Sequence, residues 1–94
     1  MKPKRIRLVD AQQMAKEFPD TFEAPSASDL SKLRAGDIVK VSNNSERFWV
    51  QIISRSDDMF LGCVDNALLS GRVRYGDHIQ FHACNVFAIY DGAH

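Results

Sequence analysis

From Ile38 to Val64 the chain reads as three apolar-rich runs separated by two clusters of turn residues. A period of two places successive side chains on opposite faces of a strand. The first run, Ile38–Ser42, sets Val39 and Val41 on one face against Ile38 and Lys40 on the other. Asn43-Asn44 then predicts a turn, because asparagine tolerates positive φ. The second run, Arg47–Ser54, sets Phe48, Val50 and Ile52 against Trp49, Gln51 and Ile53. Asp57-Asp58 marks the next turn, and a third strand is expected over Met59–Val64, closing at Asp65-Asn66. Gly62 inside it points to a bulge or a close backbone approach.

On the N-terminal side the period changes. Ala11, Met14, Ala15 and Phe18 fall at i, i+3, i+4 and i+7, which predicts a helix over Asp10–Phe18 with one apolar face packed on the sheet. Asp10 is placed to cap it, with Gln13 three residues on as in a capping box. Pro19 stops it, since the residue before proline is pushed out of the α region. Phe22 is expected to plug into the core. Ser28 or Asp29 is expected to cap a short helical turn through Leu33, with Leu30 and Leu33 on one side. On the C-terminal side Tyr75-Gly76-Asp77 repeats the earlier Ala35-Gly36-Asp37, and each precedes a strand: Ile38–Ser42 after the first, His78–His82 after the second. A last strand is expected over Asn85–Tyr90. Residues 67–73 predict a loop.

One helix followed by five short strands gives an α+β domain: an N-terminal helix on a small, strongly bent antiparallel sheet, SH3-like or otherwise a half-open barrel. With 94 residues the chain forms one domain, 1–94. Residues 8–92 are its expected folded core. Residues 1–7 form a basic arm, with Lys2, Lys4, Arg5 and Arg7 and no acid, expected to be frayed. Ile6 and Leu8 are placed to add a short edge strand.

Charge narrows the function classes. The 12 basic and 12 acidic residues balance, which speaks against a dedicated nucleic-acid binder but leaves room for a local basic patch. No apolar run reaches the ~20 residues of a membrane span, and the N-terminus lacks the apolar stretch of a signal peptide. Cys63 and Cys84 form no CxxC and sit in apolar strand patterns. They are expected to be buried, reduced and slow to react, as in a reducing, cytoplasmic compartment.

Several segments follow one another in a familiar order: TFEAP at Thr21–Pro25, LRAGDIVKV at Leu33–Val41, ERFWVQI at Glu46–Ile52, LGCVDN at Leu61–Asn66 and YGDHIQF at Tyr75–Phe81. Together with the helix ending in Phe18-Pro19-Asp20 they resemble the bacterial domain-of-unknown-function 2314 family, over about residues 8 to 90. The chain departs from that pattern after Asn66, where Ala67-Leu68-Leu69 stands in place of a nearby proline. The resemblance implies neither an activity nor a catalytic residue.

The chemistry-bearing residues form few constellations. Arg47 beside Phe48 and Trp49 is suited to stacking or to pairing an acidic partner. The expected arrangement is the structural one, with Trp49 in the core between sheet and helix and Arg47 paired to Glu46 or Asp65 at the barrel rim. In that case Trp49→Ala should cost about 3–5 kcal/mol. Asp37, Asp65, Asn66 and Asp77 near strand ends would suit a hard cation, but Asp37 and Asp77 each follow a turn glycine, where aspartate usually bonds its own backbone. His78 and His82 share a strand face but lie roughly 13 Å apart at a rise near 3.3 Å per residue. His82 and Cys84 alone do not make a structural zinc site. No nucleophile motif or phosphate-binding glycine loop is present.

Three functions follow in order of preference. The first is a non-catalytic module that holds a protein or peptide partner through a sheet rim formed by Arg47, Trp49, Asp65 and Asn66. The second is nucleic-acid binding through the basic arm, Lys40, Arg47, Arg72 and Arg74, with Trp49 and Tyr75 as stacking faces. The third is a small enzyme using Asp65 or Asp37. None calls for a cofactor or a metal.

Overall fold

The structure is a computed structural model that describes residues 3, 4, 6–68 and 73–92. Arg72, Lys2 and Arg5 lie outside the described residues. In chain order the elements are α1 (Ala11–Glu17), α2 (Ala27–Ser31), β1 (Ile38–Ser42), β2 (Arg47–Ser56), β3 (Met59–Val64), β4 (His78–His82), a 3-10 turn (Ala83–Asn85) and β5 (Ala88–Ile89). The strands form one sheet in the order β4-β3-β2-β1-β5, with every pair antiparallel. Strands β1–β4 form a meander, and β5 returns to the free edge of β1. The sheet does not close, so the fold is the α+β, half-open arrangement that the pattern predicts.

The alternation decides the two faces. Val39, Val41, Phe48, Val50, Ile52, Phe60, Val64, Ile79 and Phe81 all point inward and are buried. Leu30, Leu33, Val73 and Val86 complete this core. Phe60 and Phe81 are directly opposed across β3 and β4, and their rings stack with centroids 5.2 Å apart. No helix interrupts Ile38–Val64, and β2 and β3 pair through the Asp57-Asp58 turn as expected. The bulge lies in β2 rather than β3: the register shifts between Ile52 and Ser54, leaving Ile53 as the extra residue, 41% exposed. Gly62 instead marks a close approach. A Cβ there would meet Val50 Cγ1 at 2.3 Å.

The repeated glycine-aspartate turn is a structural repeat. In each turn the glycine takes positive φ (98° at Gly36, 87° at Gly76), which a Cβ would penalise. The aspartate then folds back on its own turn. Asp37 Oδ2 accepts the Arg34 N–H at 3.0 Å, and Asp77 Oδ2 accepts the Arg74 N–H at 2.8 Å. Both turns dock identically on the neighbouring strand. The N–H groups of Gly36 and Gly76 donate to Ile52 and Val64 carbonyls, and those residues' N–H groups donate back to Asp37 and Asp77. Ile38 pairs with Gln51, Gln51 with Cys63, and Cys63 with His78. An approximate two-fold axis therefore passes through the Gln51–Cys63 pair, relating β1–β2 to β4–β3.

The helices are capped much as expected. Asp10 Oδ1 accepts the Gln13 N–H at 3.0 Å, and α1 ends at Phe18 before Pro19. The Gln13 side chain bonds Glu17, so only half of the capping box forms. The main contact of α1 is the 3-10 turn, and Phe18 is left 51% exposed, so its stripe does not lie across the sheet. The cap of α2 is Ser26, whose Oγ accepts the Asp29 N–H at 3.1 Å, two residues ahead of the earliest expected cap.

The expected strand Asn85–Tyr90 is shorter than its alternation suggests. To cross from the β4 edge to the β1 edge the chain first tightens into the 3-10 turn. His82 Nδ1 accepts the Cys84 N–H at 3.0 Å, and Asn85 Oδ1 accepts the His82 N–H at 2.8 Å. The Asn85 amide also donates to the Val9 carbonyl at 3.1 Å, tying the N-terminal segment to this crossover. The N-terminal arm is pinned at Lys4. Its N–H donates to the His78 carbonyl at 2.7 Å, and its Nζ lies 2.9 Å from Asp77 Oδ2. Ile6 and Leu8 pack against the core rather than forming a strand.

The Lys4 hydrogen bond holds the Asp77 carboxyl below the usual carboxylate range, helped by the Arg74 backbone bond. A carboxylate stabilised in the fold contributes stability above its unfolded pKa and loses it as pH falls through the folded one. Lys4→Ala is expected to raise the Asp77 pKa toward its ordinary value, read by carboxyl NMR titration, and to remove part of the acid dependence of stability below about pH 4.

Candidate functional site

Trp49 is not in the core. It projects from the outer face of β2, half-buried, opposite Lys40 in the β1–β2 register. The inward positions on either side belong to Phe48 and Val50, so period two leaves Trp49 facing out. Its ring meets Tyr90 edge-on, with centroids 5.8 Å apart, and Lys40 Nζ lies 4.6 Å from its centroid. The expectation that the helix covers it is corrected: Tyr90 and the Lys40 side chain do. Trp49→Ala should then cost only about 1–2 kcal/mol, from partial burial and one cation–π contact, and a thermal melt checks this.

Arg47 is two residues before Trp49 on the same outer face. Its guanidinium lies over Phe87 at 4.9 Å from the ring centroid and over Phe22 at 5.6 Å. Among the described residues neither Arg47 nor Lys40 has a carboxylate within ion-pair distance. The expected pairing of Arg47 with Glu46 or Asp65 is therefore replaced by stacking on aromatic rings. Phe22, expected to be buried, is half-buried and packs its ring against Phe18 and Phe87.

Asp65 and Asn66 meet Trp49 through the backbone. The Asp65 N–H donates to the Trp49 carbonyl at 2.9 Å, while Asn66 Oδ1 accepts the Trp49 N–H at 2.5 Å. The Asn66 carboxamide stands in for the next residue of the ladder, and its amide group donates to the Ala67 carbonyl. Asn66 thus sets the position of Trp49 instead of offering its own side chain. Asp65 stays exposed.

Arg47 and the buried Phe87 line two surface hollows in common. One, about 260 Å³, has an apolar wall of Val9, Met14, Phe22 and Phe87. The other, about 320 Å³, counts two cations, Lys40 and Arg47, and two carboxylates, Asp20 and Glu23, among its lining residues. Arg74 and the 68% exposed Tyr75 occupy the turn docked on Val64, on the far side of β3 from β1. They lie at the same strand end as Arg47 but outside these hollows. Phe87, Phe22, Asp20 and Glu23 were not singled out by sequence for a site; they join Arg47 only through the return of β5 to β1 and the connector after α1.

Asp37 and Asp77 are each committed to their own turn and sit at opposite ends of the sheet. Among the described residues no group of three histidine, cysteine or acidic side chains is placed to hold a metal ion. Both cysteines are free and half-buried rather than fully buried. Burial, and then the negative charge of Asp10, pushes the Cys84 thiol above its ordinary pKa. Cys84 should therefore label slowly with iodoacetamide at pH 7.5, and Asp10→Asn should speed labelling by lowering that pKa.

No family model, curated protein or solved structure matches the chain. No helix of the described residues is long and apolar enough to cross a membrane.

Proposed function

We propose that this domain is a non-catalytic module that binds a protein or peptide partner at the Arg47–Trp49 end of its outer sheet face. The observation that carries this reading is the pair of cations, Arg47 and Lys40, each laid on aromatic rings and neither satisfied by a carboxylate of the described chain. A planar guanidinium fixed by stacking has already lost much of its side-chain freedom, so a partner group bonds its edge at lower entropic cost. Asp65 and Asn66 belong to the site as supports of Trp49. The proposal retains the similarity to the domain-of-unknown-function 2314 family, carried by Leu33–Val41, Glu46–Ile52 and Leu61–Asn66, and a bacterial, cytoplasmic setting.

Nucleic-acid binding is the second reading, favoured by the exposed Tyr75 beside Arg74. Fluorescence titration of Trp49, the single tryptophan, separates the two. Peptide pools are expected to change its emission saturably, with the change lost in Arg47→Ala. Saturable binding of a single-stranded oligonucleotide at 150 mM salt, abolished by Arg74→Ala with Tyr75→Ala, would replace the first reading with the second.

A further inference from the structure

We infer that the partner segment carries three side chains in sequence, one apolar, one acidic and one basic, laid across Arg47, which lines both hollows. This rests on the peptide-binding reading above and names the chemistry of what binds.

The two hollows differ in kind. The first combines an apolar wall, Val9, Met14 and the rings of Phe22 and Phe87, with the polar turn residues Ser42, Asn44 and Ser45. Glu46 also borders it, half-buried and engaged in an interaction within the protein. The second is lined by charges of both signs, Lys40 and Arg47 together with Asp20 and Glu23. None of these four comes within 4 Å of an opposite charge among the described residues. A polyanion meets Asp20 and Glu23 unfavourably, and a polycation meets Arg47 and Lys40 unfavourably. A ligand with a carboxylate on the Arg47 side and an ammonium or guanidinium on the Asp20 side complements both.

Arg47 sits where the hollows meet and sets the order of the three groups. Its guanidinium carbon lies 4.9 Å from the Phe87 ring centroid and has no carboxylate within ion-pair distance among the described residues. Its N–H groups are therefore left for a partner carboxylate, which Arg can bond through two parallel N–H groups. Lys40 also lines the second hollow and adds a point charge. The apolar side chain then falls in the first hollow and the basic one toward Asp20 and Glu23. In an extended segment alternate residues face the same side, so these three groups belong at positions i, i+2 and i+4.

The test uses the folded 94-residue chain and blocked pentapeptides followed by Trp49 fluorescence and by amide NMR shifts. The probes are Ac-Leu-Ser-Glu-Ser-Lys-NH2 and its reverse, the same peptides with Gln for Glu or Gln for Lys, and an all-acidic Ac-Glu-Ser-Glu-Ser-Glu-NH2. One order of the Leu/Glu/Lys probe is expected to bind about tenfold or more tightly than its Gln-for-Glu version. Arg47→Lys keeps the charge but loses the fork and the stacking. It should weaken the glutamate probe about tenfold while leaving the glutamine probe unchanged. Asp20→Asn with Glu23→Gln should abolish the preference for lysine over glutamine. Equal binding of the glutamate and glutamine probes at the rim leaves peptide binding standing and overturns the inferred chemistry. Tightest binding by the all-acidic peptide overturns it as well. Absence of any rim shift with every probe overturns both readings.

Discussion

Gly62→Ala is expected to cost about 3 kcal/mol, near the upper end of what one added methyl does to a packed core. The backbone at Gly62 is ordinary extended strand, so the loss is steric, not conformational. An added Cβ would stand 2.3 Å from Val50 Cγ1, 3.0 Å from Phe81 Cε1 and 3.1 Å from the Gln51 carbonyl oxygen. Val50 and Phe81 are both buried and locked by their own neighbours, so neither yields cheaply. In a domain of this size 3 kcal/mol lowers the melting temperature by roughly 12–24 °C. Val50→Ala removes the nearest atom, so the double variant should lose less than the sum of the two single losses. Thermal and urea unfolding of the three variants checks this. An unchanged melting temperature in Gly62→Ala would show that the β2–β3 packing differs from that described here.

Arg55→Ala is expected to cost a similar amount, about 3 kcal/mol, by a different route. After the bulge at Ile53 the β2 pattern changes phase, and Arg55 comes to oppose the inward-facing Phe60. Its guanidinium lies 4.8 Å from the Phe60 ring centroid. Nη1 donates to the carbonyls of Leu30 at 2.8 Å, Leu33 at 3.0 Å and Ser31 at 3.3 Å, while Nε donates to the Asp57 carbonyl at 2.6 Å. The Leu30, Ser31 and Leu33 carbonyls belong to the last turn of α2 and its exit, where backbone donors run short, although the Leu30 carbonyl also accepts the Leu33 N–H at 3.3 Å. Removing the side chain leaves them without that donor and uncovers one face of Phe60; charge-assisted bonds of this kind contribute about 1.5–3 kcal/mol. Arg55→Lys should recover less than half, because one ammonium cannot serve both Asp57 and α2. Asp58→Asn should change stability by less than about 0.5 kcal/mol, since its contact with Arg55 is 3.7 Å long and exposed. Hydrogen exchange gives a local check: in Arg55→Ala the amides of α2 should lose protection before those of β2.

These two residues show where the sequence was legible. Gly62 stood out because a glycine inside an apolar strand run has few reasons to be there, and close approach is one. Arg55 did not stand out, because the bulge that turns it inward is a property of the β2–β3 register. A single extra residue reverses every later position of a strand, and nothing in Ile53 itself announces it. Strands β1, β3 and β4 were readable to the residue because each is bounded by glycine, asparagine or aspartate turns. The last strand was misjudged because Val86 and Phe87 continue an alternation that the His82–Asn85 capping interrupts.

The site divides in the same way. Arg47 and Trp49 could be picked out as an arginine beside a lone tryptophan, but not the surroundings that give them meaning. Trp49 was expected in the core because large aromatics in small domains usually are. The facing position of Phe48 and Val50 settles it outward, and Tyr90, 41 residues on, supplies the cover. Phe87 and Phe22 reach Arg47 from distant parts of the chain, so no local pattern links them to it. The apparent repeat of the glycine-aspartate turns was visible at once, yet its meaning, two turns docked alike about the centre of the β2–β3 pair, appears only with the strand pairing in hand.

The proposed partner site is the Arg47–Trp49 end of the outer face. Amide chemical-shift mapping of the folded chain, titrated with the Leu/Glu/Lys probe, tests it most directly. The predicted result is a contiguous set of saturating shifts over residues 20–23, 40–49 and 87–90, with 74–77 and 82–85 unmoved. Shifts centred on Arg74 and Tyr75 would contradict it.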